Sequence, residues 1–317
     1  MKRVLKWLLI LILVAVVALF AWGYAPDRDA RAMRAKYGNA ASRFVDVGNG
    51  LKVHVRDEGK RDGPVLVLLH GSSASLHTWE PWVKQLGDSY RVISLDQIGH
   101  GLTGPNPSGD YRMSAFVSSL DAVANKLGLT RFALAGNSMG GGIAWNYAVA
   151  HPDKVSALIL VDASGAPAAR PTGTPIGFRI AQMPVVNRLA EVITPRTLIE
   201  KSLRQSVSNQ AMVDDGMIDR YWDLLLYPGN RRATGQRFAT PRTPADPARI
   251  ATLKMPVLIL WGAEDRLIPL SAGEWFAQAI PASKLIVYPG IGHIPMEEAP
   301  DRSAADVSAF LSALPAR

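Results

Sequence analysis

A serine lies between glycines in the segment Gly136-Asn137-Ser138-Met139-Gly140, where a short apolar run ends and an amphipathic segment begins. The Gly-x-Ser-x-Gly pattern in a strand–turn–helix context predicts a serine on a sharp turn, with its hydroxyl exposed above a sheet. The helix that follows points its N-terminal N–H groups toward the place where an oxyanion would form. Ser138 is therefore the candidate nucleophile.

A serine hydroxyl is a weak nucleophile at neutral pH and needs an adjacent base. The chain has six histidines. His293 lies in a glycine-flanked loop after the last predicted strand and is the strongest candidate for this base.

The other five histidines have different expected positions. His54 falls inside an early hairpin and is expected to face solvent, and His151 is expected to cap the helix after Ser138. His77 opens the first crossover and could reach the mouth of a pocket. His70 and His100 lie in glycine-containing turns. We expect the turn at His70 to shape the loop that holds the oxyanion, which we call the oxyanion loop (residues 70–75), and the turn at His100 to shape the floor of the active site.

The base needs a carboxylate that fixes its tautomer and stabilises the imidazolium. Asp265 follows the strand before the last helix–strand pair, in a Trp-Gly-x-x-Asp-x-x-Ile-Pro setting. The order Ser138, Asp265, His293 is the one expected for a nucleophile-elbow hydrolase. Asp162 also ends a central strand and is the rival acid. Asp96 is interpreted as a structural residue at a strand end.

Two backbone N–H groups are needed to hold the developing oxyanion. Met139, the residue after the nucleophile, supplies one by the geometry of the turn. Ser72, directly after His70-Gly71 on an earlier strand-to-helix loop, is the candidate for the other.

Alternating apolar strands and helical segments predict βαβ units in a mostly parallel sheet, with chemistry at the carboxyl ends of the strands. The glycine-containing turn at 48–50 predicts a hairpin at the start. Predicted strands cover 43–47, 51–56, 65–69, 91–95, 132–136, 157–161, 256–260 and 284–288. Predicted helices cover 79–86, 113–127, 271–280 and 300–314.

The alternation of apolar strands and helical segments stops between residues 163 and 250. The pattern there is helical and is interrupted by proline and arginine residues. Such a stretch is too long for a loop, so we interpret it as an inserted helical cap over the strand ends. Helical segments are expected at 184–193, 196–203 and 210–227. Its apolar residues suit an acyl or aryl group, and a few of them are expected to line a pocket: Ile176, Phe178, Ile180, Val185, Leu189, Trp222 and Leu225.

The N-terminus is basic at Lys2, Arg3 and Lys6, and fifteen uncharged apolar residues then run from Trp7 to Ala21. An uncharged helix of about nineteen residues spans about 28 Å, close to the hydrocarbon thickness of a bilayer. The basic flank favours a cytoplasmic N-terminus. We predict a single-pass anchor in a bacterial inner membrane with an extracytoplasmic catalytic domain. A cleaved signal peptide, and hence a secreted protein, is the alternative.

The sequence thus divides into an anchor (1–25), a short helical or flexible linker (26–42), a first core segment (43–162), the cap (163–250) and a second core segment (251–317). The chain has no cysteine among its 317 residues, which excludes disulfides, thiolate metal sites and a cysteine nucleophile. No cofactor or metal is expected. The net charge of +8 comes from scattered residues and permits contact with anionic lipid, but no nucleic-acid motif is present.

These motifs together resemble the α/β-hydrolase superfamily over residues 44–314. The loop that starts at His70 resembles membrane-associated bacterial esterases and lipases related to Moraxella lipase 3. Gly-Asn-Ser-Met-Gly-Gly is also similar to the carbon–carbon bond hydrolases of aromatic ring cleavage, although their glycine-rich loop after His-Gly is lacking here. Asp96-Gln97-Ile98-Gly99 departs from the common Asp-x-Pro-Gly.

The resemblance implies a serine hydrolase that cleaves carboxylic esters with an apolar acyl or aryl group. Hydrolysis of a ring-fission dienoate at a C–C bond is an alternative. A third interpretation is a protein that keeps the fold and only binds a hydrophobic ligand.

Overall fold

The computed structural model describes residues 2–167, 176–183, 186–241 and 243–314. One eight-stranded sheet has the order β1-β2-β4-β3-β5-β6-β7-β8, and it is parallel except where β2 pairs with β1 and with β4. The strands are β1 Ser42–Gly48, β2 Leu51–Gly59, β3 Val65–Leu69, β4 Arg91–Leu95, β5 Phe132–Asn137, β6 Val155–Val161, β7 Val257–Gly262 and β8 Ser283–Tyr288. The mostly parallel sheet that the sequence predicts is confirmed.

The described helices comprise an N-terminal pair, a set that flanks the sheet and a set between β6 and β7. The first pair and the flanking set are α1 Lys2–Gly23, α2 Ala30–Tyr37, α3 Glu80–Leu86, α4 Met113–Lys126, α5 Met139–Ala150, α12 Leu270–Ala279, α13 Pro295–Glu298 and α14 Pro300–Ser312. The set between the strands is α6 Ile176–Gln182, α7 Val186–Leu189, α8 Arg196–Ser206, α9 Asp215–Leu225, α10 Asn230–Ala239 and α11 Pro247–Ile250.

Helices cover both faces of the central strands, which explains their continuous apolar sequences. Every residue of β5 and β7 is buried. The two faces of the sheet form separate hydrophobic clusters, one around Trp145 and Trp261 and the other around Trp79 and Trp82. The strand ends that carry the candidate site are therefore fixed by packing on both sides.

Only helical elements are described between β6 and β7, as expected for a cap. The segment 184–193 is less helical than predicted: α7 is four residues long, and Ile193 instead forms an antiparallel bridge with Tyr24. Pro184, at the start of the predicted helical segment, and Val185, an expected pocket residue, lie outside the described residues.

The N-terminal helix α1 is apolar, exposed along its length, and long enough by composition and length to cross a membrane. Its 22 residues span about 33 Å. Its last turn is attached to the cap, because the Thr194 N–H donates to the Gly23 carbonyl at 2.8 Å and the Ala25 N–H donates to Val192 at 3.0 Å. The helix therefore leaves the cap from a fixed position.

The linker contains α2 and is ordered against the cap; we call residues 24–37 the brace. The Asp223 carboxylate of α9 accepts hydrogen bonds from Lys36 Nζ at 2.7 Å, the Tyr37 hydroxyl at 2.9 Å and Arg28 Nε at 3.2 Å. Burial raises the pKa of Asp223, but the hydrogen bonds from Lys36 and Tyr37 outweigh it and hold the pKa below its usual value. Of the two expectations for the linker, the helical one is confirmed.

His54 on β2 was expected to face solvent, and this is wrong. Its side chain is fully buried, with Nδ1 2.7 Å from Asp96 Oδ2 and Nε2 2.9 Å from the Ser42 hydroxyl. The turn after β4 is also joined to β2 here, because the Thr103 hydroxyl accepts the His54 N–H at 2.9 Å. The alternation of polar and apolar residues along one strand does not show that residues distant in the sequence will bury His54.

Candidate active site

Ser138 lies between β5 and α5 in a strained backbone conformation, with φ of 54° and ψ of −118°. Both flanking glycines are required by close contacts. A Cβ at Gly136 would overlap the carbonyl of Gly140, and a Cβ at Gly140 would overlap the carbonyl oxygen of Leu69. The sharp strand–turn–helix geometry expected from the motif is present.

The residue before the nucleophile links the turn to the loop of the candidate base. The Asn137 side-chain amide donates to the His293 carbonyl at 3.0 Å and to the Val161 carbonyl at 3.2 Å. No role for Asn137 was expected from the sequence. The available signal was a polar amide directly before the candidate nucleophile, and the structure shows that this side chain is buried.

Asp265 and His293 are in direct contact. His293 Nδ1 lies 2.7 Å from Asp265 Oδ2, and the other carboxylate oxygen accepts the N–H groups of Leu267 at 2.8 Å and Ile268 at 3.0 Å. Both side chains are nearly buried. With Asp265 ionised, this geometry places the proton on Nδ1 and leaves Nε2 free to act as a base.

The structure contains no hydrogen bond between the Ser138 hydroxyl and His293, although both residues are within its described part. Contacts between a nucleophile and its base often tighten only when substrate binds. His293 is held in place from the cap side, because its N–H donates to the Ser206 carbonyl at 2.9 Å. The roles of Ser138, Asp265 and His293 stay predictions.

The rival acid, Asp162, is fully buried at the end of β6 and accepts the Gly262 N–H at 2.9 Å. Asp265 rather than Asp162 makes the hydrogen bond to His293. The three side chains offer ligand atoms within 4.8 Å of one another and could in geometry hold a cation. Asp265 and His293 already use Oδ2 and Nδ1 for the hydrogen bond between them.

The loop of the second oxyanion candidate approaches the nucleophile closely. A Cβ at Gly71 would lie 2.8 Å from Asn137 Oδ1 and 3.1 Å from the Ser138 Cβ, so a larger residue just before Ser72 would press against the side chains of the elbow. The Ser72 hydroxyl accepts a hydrogen bond from Arg237 Nη1 of α10 at 3.0 Å. Arg237 is buried, and no pattern in the sequence indicated that this cap arginine reaches the oxyanion loop.

His70 lies at the start of this loop, and its ring centroid is 5.2 Å from that of His100. Their expected part in shaping the site stays a prediction. His70 Nε2 accepts the Gln97 N–H at 2.9 Å, and its Nδ1 lies 2.7 Å from the Gly71 carbonyl. Burial is the main cause that lowers the pKa of both imidazoles, so both rings are neutral near pH 7. Asp96, interpreted as a structural residue, accepts the Leu76 N–H at 2.8 Å and fixes the chain beyond the loop.

His77 does not reach the pocket mouth, contrary to expectation. Its ring is buried and lies against the brace, with Nε2 2.9 Å from the Tyr37 carbonyl and 2.9 Å from Arg56 Nη2. Burial lowers the pKa of His77 to about 4. His151 does end α5, as predicted, and Glu264 is exposed beside Asp265.

An apolar cavity lies between the oxyanion loop and the cap. Ser72 and Ser73 line it on the side of the loop, and its other walls come from α6, α8, α9 and α10. Of the cap residues expected to line it, Phe178, Ile180 and Leu225 do so. Leu189 is half exposed, and the Trp222 side chain instead donates to the Thr194 carbonyl beside the brace.

Comparison with known proteins places the chain among relatives of two chemistries. A 2-hydroxy-6-oxononadienedioate/2-hydroxy-6-oxononatrienedioate hydrolase from a Pseudomonas species is 28% identical over 290 residues, which cover 86% of this chain and 97% of the relative. Lipase 1 of Psychrobacter immobilis is 27% identical over 282 residues, 86% of this chain and 84% of the lipase.

Among solved structures, a membrane phospholipase A described as a bacterial virulence factor aligns with a TM-score of 0.74 at 26% identity. That alignment covers 98% of both chains and so extends into the N-terminal segment. The family model for the alpha/beta hydrolase fold matches residues 64–300. This chain therefore belongs to the alpha/beta hydrolase fold family.

Proposed function

We propose that the protein is a serine hydrolase that cleaves carboxylic esters through an acyl-enzyme on Ser138. The observation that carries this proposal is the strained Ser138 at the elbow, on the same sheet edge as the 2.7 Å contact between Asp265 and His293. Membership of the alpha/beta hydrolase fold family supports hydrolysis in general. That the bond cleaved is a carboxylic ester is the more specific part of our proposal.

In the proposed reaction, His293 Nε2 removes the proton of the Ser138 hydroxyl, and the oxygen attacks the ester carbonyl. Asp265 orients the imidazole and stabilises its protonated form. The N–H groups of Met139 and Ser72 hold the oxyanion. His293 then protonates the leaving alcohol, and a water molecule hydrolyses the acyl-enzyme.

The cavity supports an apolar acyl or aryl group as the part of the substrate that is bound. Phe178, Ile180 and Leu225 present hydrocarbon to the space above Ser72 and Ser73. Burying such a group gives roughly 0.8 kcal/mol for each methylene. The lipase and phospholipase relatives are consistent with this preference.

C–C bond hydrolysis of a dienoate is the second candidate, and one observation favours it. The buried Arg237 places a guanidinium 3.0 Å from the Ser72 hydroxyl, next to the candidate oxyanion site. Substrates of the dienedioate type carry carboxylates, which arginine binds well. A relative named for this activity aligns over 86% of the chain.

A substrate panel separates the two activities. We expect p-nitrophenyl esters of increasing acyl length to be hydrolysed, with kcat/KM rising from acetate to medium chains because more methylene groups enter the cavity. A ring-fission dienoate measured by loss of its absorbance serves as the comparison. Turnover of the dienoate without ester turnover would replace the first proposal by the second. Ser138 labelling by a fluorophosphonate without turnover of either would indicate another class of substrate, and failure to label Ser138 would favour a protein that only binds a hydrophobic ligand.

We further propose that α1 is an uncleaved anchor in a bacterial inner membrane, with the catalytic domain on the extracytoplasmic side. Lys2, Arg3 and Lys6 favour a cytoplasmic N-terminus, and Trp22 and Tyr24 suit the opposite interface. The bonds from the cap to Gly23 and Ala25 favour retention, since cleavage would remove them. The full-length alignment with a membrane phospholipase A points the same way.

The cap would lie close to the same membrane surface. Val186, Leu189 and Val192 are 39%, 52% and 39% exposed, and they adjoin the bridge that attaches α1. Exposed apolar side chains beside a membrane anchor are stabilised where they enter the interface. An ester dissolved in the bilayer would then have a short path to the cavity.

Fractionation tests the anchor. The full chain is expected in the membrane pellet after washing with high salt or alkaline carbonate, and intact mass should retain residues 1–25. A control with Leu9, Ile12 and Val16 all changed to Asp should leave the pellet, because three charges at the bilayer centre are costly. Recovery of wild-type protein in the soluble fraction at a mass that lacks the N-terminal segment would establish cleavage instead.

A further inference from the structure

Asp162 has features that its role as a strand-end residue does not explain. Its φ of 44° is in the left-handed region, which non-glycine residues rarely adopt. Its Oδ1 accepts the Gly262 N–H, but its buried Oδ2 has no hydrogen-bond partner among the described residues. Buried polar atoms are normally paired, so a strained residue with such an atom beside a candidate catalytic pair calls for a chemical reason.

The neighbours of Asp162 determine its protonation. Asp265 and His293 offer polar atoms within 4.8 Å of its carboxyl group. Asp265 is stabilised as an anion by His293 and two backbone N–H groups, whereas Asp162 has one such N–H. Two buried carboxyl groups this close cannot both ionise readily, and the one with fewer donors keeps the proton. Burial, followed by the charge of Asp265, raises the pKa of Asp162 well above its usual value.

Two further titratable groups face this cluster. Glu298 acts in the same direction as Asp265, since its negative charge disfavours a second anion at Asp162. Its own carboxylate accepts the N–H groups of Ser208 and Gly292, both at 2.8 Å. The Tyr288 hydroxyl donates to Asp306, and burial raises the pKa of Tyr288, so the phenol stays neutral. These surroundings favour a single negative charge that Asp162 and Asp265 share.

We propose that Asp162 is a positioning residue for His293: its neutral carboxyl group shares its proton with Asp265, and it can orient His293 itself when Asp265 loses its charge. The inference rests on the proposed function, because it assumes that His293 acts as the base for Ser138. In the intact protein the proton stays on the Asp162–Asp265 pair, and the negative charge faces the imidazole. A hydrogen bond donated by Asp162 holds the Asp265 carboxylate in place facing the imidazole.

The same carboxyl group also fixes the strand end that carries Asp265. Asp162 Oδ1 holds the N–H of Gly262, the last residue of β7. A Cβ at Gly262 would overlap the carbonyl of Gly292, so β7 and the loop of His293 touch at this point. Asp162 thus acts on Asp265 through a shared proton and on the loop of His293 through the backbone of Gly262.

The test compares the wild type with Asp162→Asn, Asp265→Asn and the double variant, each measured as a pH profile of kcat/KM for a soluble p-nitrophenyl ester. Asp162→Asn keeps an acceptor for the Gly262 N–H and a donor toward Asp265, so this variant is expected within about threefold of wild type. An acid-to-amide exchange in a serine triad ordinarily lowers kcat by about 10⁴. Asp265→Asn is expected to lose less, about 10²–10³-fold, with a residual rate that rises with pH as Asp162 ionises.

In the double variant the residual rate is expected to fall at least another tenfold, and its rise with pH should disappear. If Asp162 had only a structural role, its substitution would lower the stability of the protein without changing the shape of the pH profile. Equal residual rates and profiles in Asp265→Asn and in the double variant would overturn the proposal. If thermal unfolding shows that the amide variant is unfolded, Asp162→Gly, which suits the positive φ, takes its place in the double variant, where the test needs only the loss of the carboxyl group.

Labelling of Ser138 by a fluorophosphonate separates this inference from the proposed function. The labelling rate depends on His293 as the base and does not require the natural substrate. If the wild type is not labelled, the assignment of Ser138 and His293 fails. If the wild type is labelled and the Asp265→Asn and double variants react at the same rate, only the role of Asp162 is wrong.

Discussion

Replacing Ser138 by alanine is expected to lower kcat/KM for p-nitrophenyl esters by about 10⁶-fold, the loss seen when the nucleophile of a serine hydrolase is removed. The hydroxyl is the only group at the elbow that can form the acyl-enzyme, because Asn137 is engaged with two carbonyls and Gly140 has no side chain. A residual rate from the oxyanion donors and the cavity should survive. Steady-state kinetics at several enzyme concentrations measure the loss, and covalent labelling should vanish with it.

Ser118→Ala is the matched control, since Ser118 is an exposed serine on α4 far from the elbow along the chain. It should leave kcat/KM unchanged. Thermal unfolding of Ser138→Ala should stay close to that of wild type, because the substitution removes one atom and no described hydrogen bond of the side chain. Ester turnover by Ser138→Ala within tenfold of wild type would contradict the acyl-enzyme mechanism.

The elbow could be predicted from sequence because its causes are local. A tight turn with a serine at positive φ needs glycine at Gly136 and Gly140, and the contacts with the Leu69 carbonyl and with the elbow's own backbone require the same glycines. The strands were equally accessible, since burial on both faces leaves an apolar run such as β5 or β7. Asp265 was preferred to Asp162 from its sequence setting, and the structure joins Asp265 to His293.

The errors concern contacts between distant parts of the chain. His54 and His77 were misjudged because their partners, Asp96 and the Tyr37 carbonyl, are 42 and 40 residues away. Periodicity within one strand or one turn contains no information about such a partner. The linker likewise showed only its helical tendency, while its attachment depends on Asp223, which lies 187 residues beyond Lys36.

The cap was the least predictable region for a related reason. Its helices pack on one another and on the brace, so an apolar residue there can serve either the packing or the cavity. Trp222 meets the brace and Phe178 lines the cavity, although both are large aromatic residues on cap helices. Arg237 was missed because a buried arginine and an exposed one look alike in a sequence.

Gly140→Ala is expected to cost about 3 kcal/mol of stability and to lower kcat/KM at least about 100-fold in the fraction that stays folded. The added Cβ would overlap the carbonyl oxygen of Leu69 and lie 2.7 Å from that of His70. Both are backbone atoms at the end of β3, which is held between β4 and β5 and cannot yield. The start of α5 must therefore move away from the sheet.

That movement acts on the chemistry because the Met139 N–H lies at the first position of α5 and Ser138 directly before it. A shift of about 1 Å in a reacting group or an oxyanion donor can reduce the rate about 100-fold. Denaturant unfolding and kcat/KM should therefore change together. An unchanged rate in a destabilised Gly140→Ala would mean that α5 relaxes without moving its N-terminus.

Gly216→Ala provides the opposite control. Gly216 lies on α9 with an ordinary backbone conformation, and the nearest atom to an added Cβ is Asp214 Oδ1 at 3.4 Å. Alanine there should stabilise the protein by up to about 1 kcal/mol, since glycine is the poorer helix former. The same chemical change, one methyl group, is thus predicted to have opposite signs at two helix starts. The sign is decided by whether the backbone of a neighbouring strand occupies the space, and at Gly140 that contact positions the candidate oxyanion donor Met139 beside the candidate nucleophile Ser138.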